Sequence, residues 1–191
     1  MEYPSVGTRH PSILRAESTI LLVVDIQERL VPAIDQGQRV IAETVRLIEG
    51  CRVLDIPVVG TEQYPKGLGP LVPEVRNLIN PKTIFSKMAF SICRVEEVMH
   101  LLRERGRNQV VLAGIEAHVC MLQTSLDLVE HGYQVHVPVE TTSSRRSTCC
   151  HVALMRMREA GVVVTMLESA LFEMLGLAGT SQFKEILDLV K

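Results

Sequence analysis

Short continuous apolar runs alternate with stretches of helical apolar spacing along most of this chain. The run at 110–113 has no polar residue that could face solvent, whereas 119–129 carries apolar residues three and four positions apart. A strand that is apolar on both faces is typical of a parallel sheet covered by helices on both sides. We therefore predict an α/β fold, a three-layer sandwich with a six-stranded parallel sheet and helices on both faces.

The same patterns place the individual elements and one domain. Strands are predicted at 19–24, 57–59, 83–85, 110–113, 134–137 and 162–165. Helices are predicted at 36–54, 95–105, 119–129, 146–160, 169–175 and 182–190, with a short amphipathic segment at 73–79. The 191 residues suffice for one full core and are too few for two ordinary domains. We assign 19–191 to that domain and 1–18, which is polar with two prolines, to an N-terminal arm that packs late or not at all.

Composition disfavours several classes of partner. The net charge of -2, from 20 basic and 22 acidic residues, gives no electrostatic basis for binding nucleic acid or an anionic membrane. No run of about 18 apolar residues could span a bilayer, and the first 18 residues lack the apolar core of a secretory signal. The five cysteines show no CxxC spacing, which favours a reducing compartment. We expect a cytoplasmic protein, with a mitochondrial location left open, that has no cofactor and acts on a small molecule.

Three residues of complementary chemistry follow three predicted strands. Asp25 follows the first strand, Lys87 the third, and Cys120 comes after the turn that follows the fourth. Ligands of open α/β sheets bind beyond the carboxyl ends of the strands. There a carboxylate can take the proton of a thiol, and an ammonium group can stabilise the thiolate. Cys120 also lies in the first turn of a predicted helix, whose dipole favours a thiolate.

Each of these residues also has a plain structural interpretation. Asp25 could cap a helix, Lys87 could be a solvated loop charge, and Cys120 could be an inert buried thiol. Convergence of the three at one edge of the sheet is the prediction that separates the two interpretations.

Three segments containing these residues resemble a known family. VVDIQ at 23–27, FSK at 85–87 and GIEAHVC at 114–120 look like the signature segments of the isochorismatase-like cysteine hydrolases, the superfamily of nicotinamidase and N-carbamoylsarcosine amidohydrolase. TEQYPKGLG at 61–69 and FKEI at 183–186 resemble the isochorismatase domain-containing proteins of eukaryotes. The resemblance extends from about residue 19 to residue 191.

The resemblance implies a fold, a site and a reaction. The strand order would be 3-2-1-4-5-6, and the catalytic triad would be Asp25, Lys87 and Cys120. A cis peptide would join Ile115 to Glu116, with the backbone N–H groups of Glu116 and Cys120 as the oxyanion hole. Cys120 would attack a small amide or carbamoyl substrate to give a thioester that water hydrolyses. We expect a homo-oligomer, a dimer or tetramer, and the expected substrate-binding residues are Gln27, Gln63, Tyr64, Ile115 and His118.

Two departures from relatives keep alternatives open. Family nicotinamidases hold a metal through histidines after the second strand, whereas residues 61–66 here read TEQYPK, so we expect no metal site. Glu116 would put a carboxylate near an anionic intermediate. The alternative is therefore a catalytically idle protein that binds ligands or senses redox state through Cys120. At 141–146, TTSSRR, Ser143 or Ser144 most simply caps the next helix, and an anion site with Arg145 or Arg146 is the other interpretation.

Overall fold

A computed structural model describes residues 9–191, and its centre is one parallel sheet of seven strands. The strands are β1 Thr19–Val24, β2 Val58–Gln63, β3 Ile84–Lys87, β4 Gln109–Ile115, β5 Gln134–Pro138, β6 Thr142–Ser143 and β7 Val163–Thr165. Their order is β3-β2-β1-β4-β5-β7, and β6 pairs with the end of β4. The expected order is confirmed, with β7 as the sixth predicted strand. The two-residue β6 is an addition that is too short to give an apolar pattern.

Helices connect the strands. They are α1 Gly37–Val53, α2 Pro65–Leu68, α3 Pro73–Arg76, α4 Glu96–Arg105, α5 Leu122–Glu130, α6 Ser147–Glu159, α7 Leu167–Leu175 and α8 Ser181–Val190. The helix predicted at 119–129 is in fact two pieces, because a π-helical turn, Ala117–Met121, precedes α5. No helix within residues 9–191 combines the length and apolarity needed to cross a membrane.

The alternation of side chains along β1 explains the three layers. Leu21 and Val23 belong to a core shared with α1, α7 and α8, whereas Ile20, Leu22 and Val24 belong to a core shared with α4, α5 and α6. All six residues of this strand are buried. Because successive side chains of a strand point to opposite faces, a strand with consecutive apolar residues such as 20–24 needs a helical layer on each side.

The described part of the N-terminal arm is packed. Leu14 is fully buried, and its backbone N–H donates to Glu173 Oε2 on α7 at 3.0 Å. The Arg15 N–H donates to Gln109 Oε1 on β4 at 2.8 Å. The expectation of an arm that packs late or not at all is therefore wrong for residues 9–18, while residues 1–8 lie outside the described part. A single buried leucine within a polar stretch gave no periodicity from which this contact could be predicted.

Candidate active site

The carboxyl ends of four strands meet at one edge of the sheet. In the parallel registers Val24 pairs with Thr61 on β2 and with Gly114 on β4, and Gln63 pairs with Lys87 on β3. The residues that follow these positions therefore emerge together. This topology brings Asp25, Lys87 and Cys120, which are far apart in sequence, to the same place.

Asp25 and Lys87 form a fully buried ion pair. Lys87 Nζ donates to Asp25 Oδ2 at 2.6 Å, and neither side chain is exposed to solvent. The other carboxylate oxygen accepts from Thr61 Oγ1 at 2.8 Å. Asp25 has a φ of 54°, a left-handed conformation that aspartate tolerates better than most residues. The carboxylate is thus fixed by contacts on both oxygens.

The Lys87 ammonium group is surrounded by acceptors. Besides Asp25 it donates to Gln63 Oε1 at 2.7 Å and to the carbonyl oxygens of Phe90 at 3.1 Å and Ala89 at 3.3 Å. Backbone carbonyls and a side-chain amide therefore hold the nitrogen in position independently of the carboxylate. The sequence did not identify Gln63 as a partner of the lysine; it was expected to contact substrate.

Cys120 completes the cluster. Its Sγ lies 3.5 Å from Lys87 Nζ, within hydrogen-bond distance for sulfur, and the residue is 6% exposed. The π-helical turn that presents it is closed by the Met121 and Val119 N–H groups, which both donate to the Glu116 carbonyl, at 3.3 and 3.0 Å. Wide turns of this kind occur frequently at functional sites.

The acidity of the thiol differs from the sequence prediction. Burial, and to a smaller extent the Asp25 carboxylate, raise the pKa of Cys120 to about 12, and Lys87 opposes the rise. The prediction that the start of a helix favours a thiolate here is therefore not met, because desolvation has the largest effect on this pKa. Burial also raises the pKa of Asp25, against the effect of Lys87. A protonated thiol beside a buried carboxylate needs that carboxylate as a base before it can attack.

Glu116 is held by Arg145 and lies beside the turn that presents Cys120. The Ile115–Glu116 peptide is cis. Glu116 Oε2 accepts from both the backbone N–H and Nε of Arg145, each at 3.0 Å. His118 Nδ1 lies 3.9 Å from the same oxygen and 2.9 Å from Ser144 Oγ. The carboxylate is thus paired with a guanidinium, a partner that the sequence did not reveal because Arg145 lies 29 residues away.

Two residues expected to bind substrate lie inside the protein. Gln27 is fully buried, donates to the Gln63 carbonyl at 3.0 Å and accepts from the Gln63 N–H at 2.8 Å, so it ties the loop after β1 to β2. Ile115 is 1% exposed at the end of β4. Buried polar groups need such partners, which accounts for Gln27 without a ligand.

Two other expected residues reach solvent. Tyr64, at the end of β2, is 47% exposed, and its N–H donates to the Lys87 carbonyl at 2.9 Å. His118 lines a cavity of about 300 Å³ together with Arg145, Arg146 and Cys149. Within residues 9–191 no group of three or more His, Cys, Asp or Glu side chains is arranged to hold a metal ion.

Comparison with known proteins gives the family. The isochorismatase domain model matches residues 19–169. Isochorismatase domain-containing protein 2 of Danio rerio is 41% identical over 175 residues, which cover 91% of this chain and 87% of that protein. Isochorismatase domain-containing protein 1 of Salmo salar is 41% identical over 174 residues, which cover 91% of this chain and 61% of that protein. The chain thus spans about three fifths of the length of the second relative.

A solved structure agrees with the family model. The structure described as the MAR1 ribonuclease from Caenorhabditis elegans is 39% identical, covers 93% of this chain and 91% of its own, and has a TM-score of 0.88. The family resemblance predicted from the three signature segments is therefore confirmed. The chain belongs to the isochorismatase-like hydrolase family.

Proposed function

We propose that this protein is a metal-independent cysteine hydrolase that cleaves a small amide or carbamoyl substrate through a thioester on Cys120. One observation supports this proposal more than any other. Lys87 Nζ contacts both the Asp25 carboxylate, at 2.6 Å, and Cys120 Sγ, at 3.5 Å, inside the protein. A buried acid, ammonium and thiol in mutual contact have the chemistry of an activated nucleophile.

The first half of the reaction forms the acyl enzyme. Asp25 accepts the proton of the Cys120 thiol while Sγ attacks the substrate carbonyl carbon, whose π electrons move to oxygen. As the tetrahedral intermediate collapses, the C–N bond breaks and Asp25 returns the proton to the leaving nitrogen. The raised pKa of Asp25 suits this role, because a carboxyl group that binds protons more tightly is a better base. Lys87 stabilises the developing thiolate.

The second half uses the same residues. A water molecule gives its proton to Asp25 and attacks the thioester carbon. The C–S bond then breaks, the acid leaves, and the proton passes from Asp25 to Sγ, which restores the thiol. No group other than water is consumed.

Backbone N–H groups near the cis peptide are the proposed oxyanion hole. Glu116 and Cys120 are the residues assigned to it, and within residues 9–191 no hydrogen bond is donated by the Glu116 N–H. Removing one oxyanion donor from sites of this kind raises the barrier by about 3 kcal/mol. The ion pair with Arg145 offsets the Glu116 carboxylate, so the side chain does not oppose negative charge on the substrate oxygen as strongly as an unpaired carboxylate would.

The alternative, a redox-sensing thiol in an idle site, has less support. Cysteines that sense oxidants have a low pKa and are accessible to solvent. Cys120 has its pKa raised to about 12 and is 6% exposed. Burying the Asp25–Lys87 ion pair beside this thiol also has a large desolvation penalty, and an idle site gives no reason for it.

A turnover screen tests the proposed function. Small amides and carbamoyl compounds are incubated with the wild type, Cys120→Ala, Asp25→Asn and the matched control Cys93→Ala, which removes a thiol outside the site. We expect ammonia or amine release by the wild type and Cys93→Ala, and a loss of at least about 100-fold in the other two. Turnover that survives Cys120→Ala overturns the proposal.

The screen also includes an RNA oligonucleotide, because the solved relative from Caenorhabditis elegans is described as a ribonuclease. The proposed mechanism needs an amide or carbamoyl carbonyl carbon as the electrophile, and the phosphodiester backbone of RNA has none. We expect no Cys120-dependent cleavage, and such cleavage would replace the amide proposal.

We further propose that the protein forms a homo-oligomer in the cytoplasm. Val152 and Met155 on α6 are 55% and 50% exposed, and Met166 follows β7, the strand that ends the sheet. Large apolar side chains exposed on a surface helix and next to the last strand of a sheet favour contact with another copy. Light scattering after size exclusion measures the assembly, and a monomeric mass at micromolar concentration rules it out.

A further inference from the structure

A basic surface begins where β6 ends. Residues 141–158 contain four arginines and one histidine and no aspartate or glutamate, in a chain whose net charge is -2. This stretch is therefore locally basic, although Glu140 and Glu159 flank it. It includes α6 and the residues that lead into it.

This stretch lines two neighbouring cavities. The first, of about 300 Å³, is lined by His118, Arg145, Arg146 and Cys149. The second, of about 350 Å³, shares His118 and Cys149 and adds Arg156, with Leu122 and Val152 among its apolar wall residues. Three guanidinium groups and an imidazole thus face one concave region that also has an apolar side.

Most of the guanidinium donors of Arg145, Arg146 and Arg156 have no acidic partner among the described residues. Arg145 donates to Glu116 only through Nε and the backbone N–H. The two terminal nitrogens of the Arg145 guanidinium donate no hydrogen bond to residues 9–191. Over the same described range, neither Arg146 nor Arg156 forms an ion pair. Of these three guanidinium groups, only that of Arg145 pairs with a carboxylate among the described residues. Guanidinium groups bind carboxylates and phosphates through paired N–H donors, so unpaired ones in a cavity are suited to an anion.

The cavities lie beside the proposed nucleophile. His118 precedes Cys120 by two residues on the same π-helical turn, and Glu116, which holds Arg145, is the residue before that turn. An anion in the cavity is thus adjacent to the segment that presents the sulfur. The α6 helix starts at Ser147 without a side-chain cap, which leaves its first N–H groups available in the same region.

We infer that this cavity binds a carboxylate or phosphate group of the substrate, with Arg146 and Arg145 as the anion-binding residues. This inference rests on the proposed hydrolase function and narrows its substrates to amides that carry a negative group. Glu116 fixes one edge of the Arg145 guanidinium, so the remaining edge is preorganised for the anion. Neutral amides lack this contact and are the poorer substrates.

The first part of the experiment measures binding without turnover. Isothermal titration of the full chain with succinate and, separately, with inorganic phosphate distinguishes the two anions. Arg146→Gln is the test variant, because Arg146 is exposed and its replacement is compatible with folding, which thermal melting checks. Arg158→Gln on the same helix is the matched control, since Arg158 lines a different cavity. We expect one of the anions to bind the wild type and Arg158→Gln equally, and Arg146→Gln about tenfold more weakly.

The second part compares succinamate with butyramide, an uncharged amide of similar length. We expect kcat/KM to favour succinamate by at least about tenfold, with that preference lost in Arg146→Gln and kept in Arg158→Gln. If neither anion binds, or if Arg146→Gln behaves as the control does, the inference is overturned while Cys120-dependent turnover stands. If no amide is cleaved at all, the proposed function fails, and the titrations alone decide whether the cavity binds anions.

Discussion

Lys87 Nζ lies 2.6 Å from Asp25 Oδ2 with both side chains fully shielded from water. Taking two charges out of water is unfavourable, and replacing such a pair by apolar groups often stabilises a protein. The pair here also lies against the Cys120 thiol, 3.5 Å from the lysine nitrogen. This position supports the proposed role of the pair in the chemistry of the site.

Removing only the lysine leaves a buried carboxylate without a counter-charge. We expect Lys87→Met to lower the free energy of unfolding by about 3 to 5 kcal/mol, measured by urea denaturation at neutral pH. The double variant Asp25→Asn with Lys87→Met is the control. It should lose less than the sum of the two single variants, and a loss below about 1 kcal/mol in Lys87→Met alone would contradict this account of the pair.

The charges around Cys120 set its alkylation rate. Because Asp25 is the proposed base for the thiol and Lys87 lowers the thiol pKa, we expect chloroacetamide to label Cys120 more slowly in both Asp25→Asn and Lys87→Met than in the wild type. Mass spectrometry of the labelled peptide between pH 7 and 10 provides the rates. Equal labelling rates in the three proteins would contradict both the base role of Asp25 and the electrostatic contact with Lys87.

Gly114 lies where β4 passes β1. It has a φ of 140°, and a Cβ at this position would be 2.1 Å from the Val24 carbonyl oxygen. We expect Gly114→Ala to lose at least about 3 kcal/mol of unfolding free energy, because both contacting segments are backbone of the central strands. Gly106→Ala is the matched control, since Gly106 has a φ of 60° and no atom within 4 Å of the added carbon. Its loss should be near 1 kcal/mol, the cost of the left-handed conformation.

His136 makes the fold sensitive to acid. It is fully buried, both ring nitrogens lack hydrogen-bond partners within residues 9–191, and burial lowers its pKa from 6.5 to about 4. Between pH 6.5 and pH 4 the His136 imidazole is therefore protonated in the unfolded chain but neutral in the folded protein. The free energy of unfolding consequently falls as the pH drops from 6.5 toward 4. At pH 4 the contribution amounts to about 3 kcal/mol.

The variant His136→Leu isolates that contribution. Urea denaturation of both proteins at pH 7 and pH 4 provides the difference between them, which should grow by about 3 kcal/mol in favour of the variant at the lower pH. A difference that does not change with pH would show that His136 titrates normally.

The sheet could be predicted because its signal is local. A strand such as β1, with five consecutive apolar residues after Thr19, indicates burial on both faces without further information. The strand order came from the family resemblance rather than from the pattern. The two residues of β6 and the packing of Leu14 had no comparable signal, because both depend on contacts with distant segments.

The sequence predicted which residues form the site, but not the environment that surrounds them. Asp25, Lys87 and Cys120 were placed by their positions at strand ends, but the pKa of the thiol depends on how much protein covers it, which no local pattern records. The Arg145 partner of Glu116 is equally a product of the fold, since the two residues meet through β4 and the loop after β6.

The rate of acyl transfer to Cys120 tests the central claim most directly. The wild type and Asp25→Asn are mixed with p-nitrophenyl acetate near neutral pH, quenched in acid, and analysed by peptide mass spectrometry. The account predicts an acetyl group on Cys120 of the wild type and at least about 100-fold slower acetylation in Asp25→Asn. Acetylation of Cys120 at equal rates in both proteins, or only at other cysteines, would contradict it.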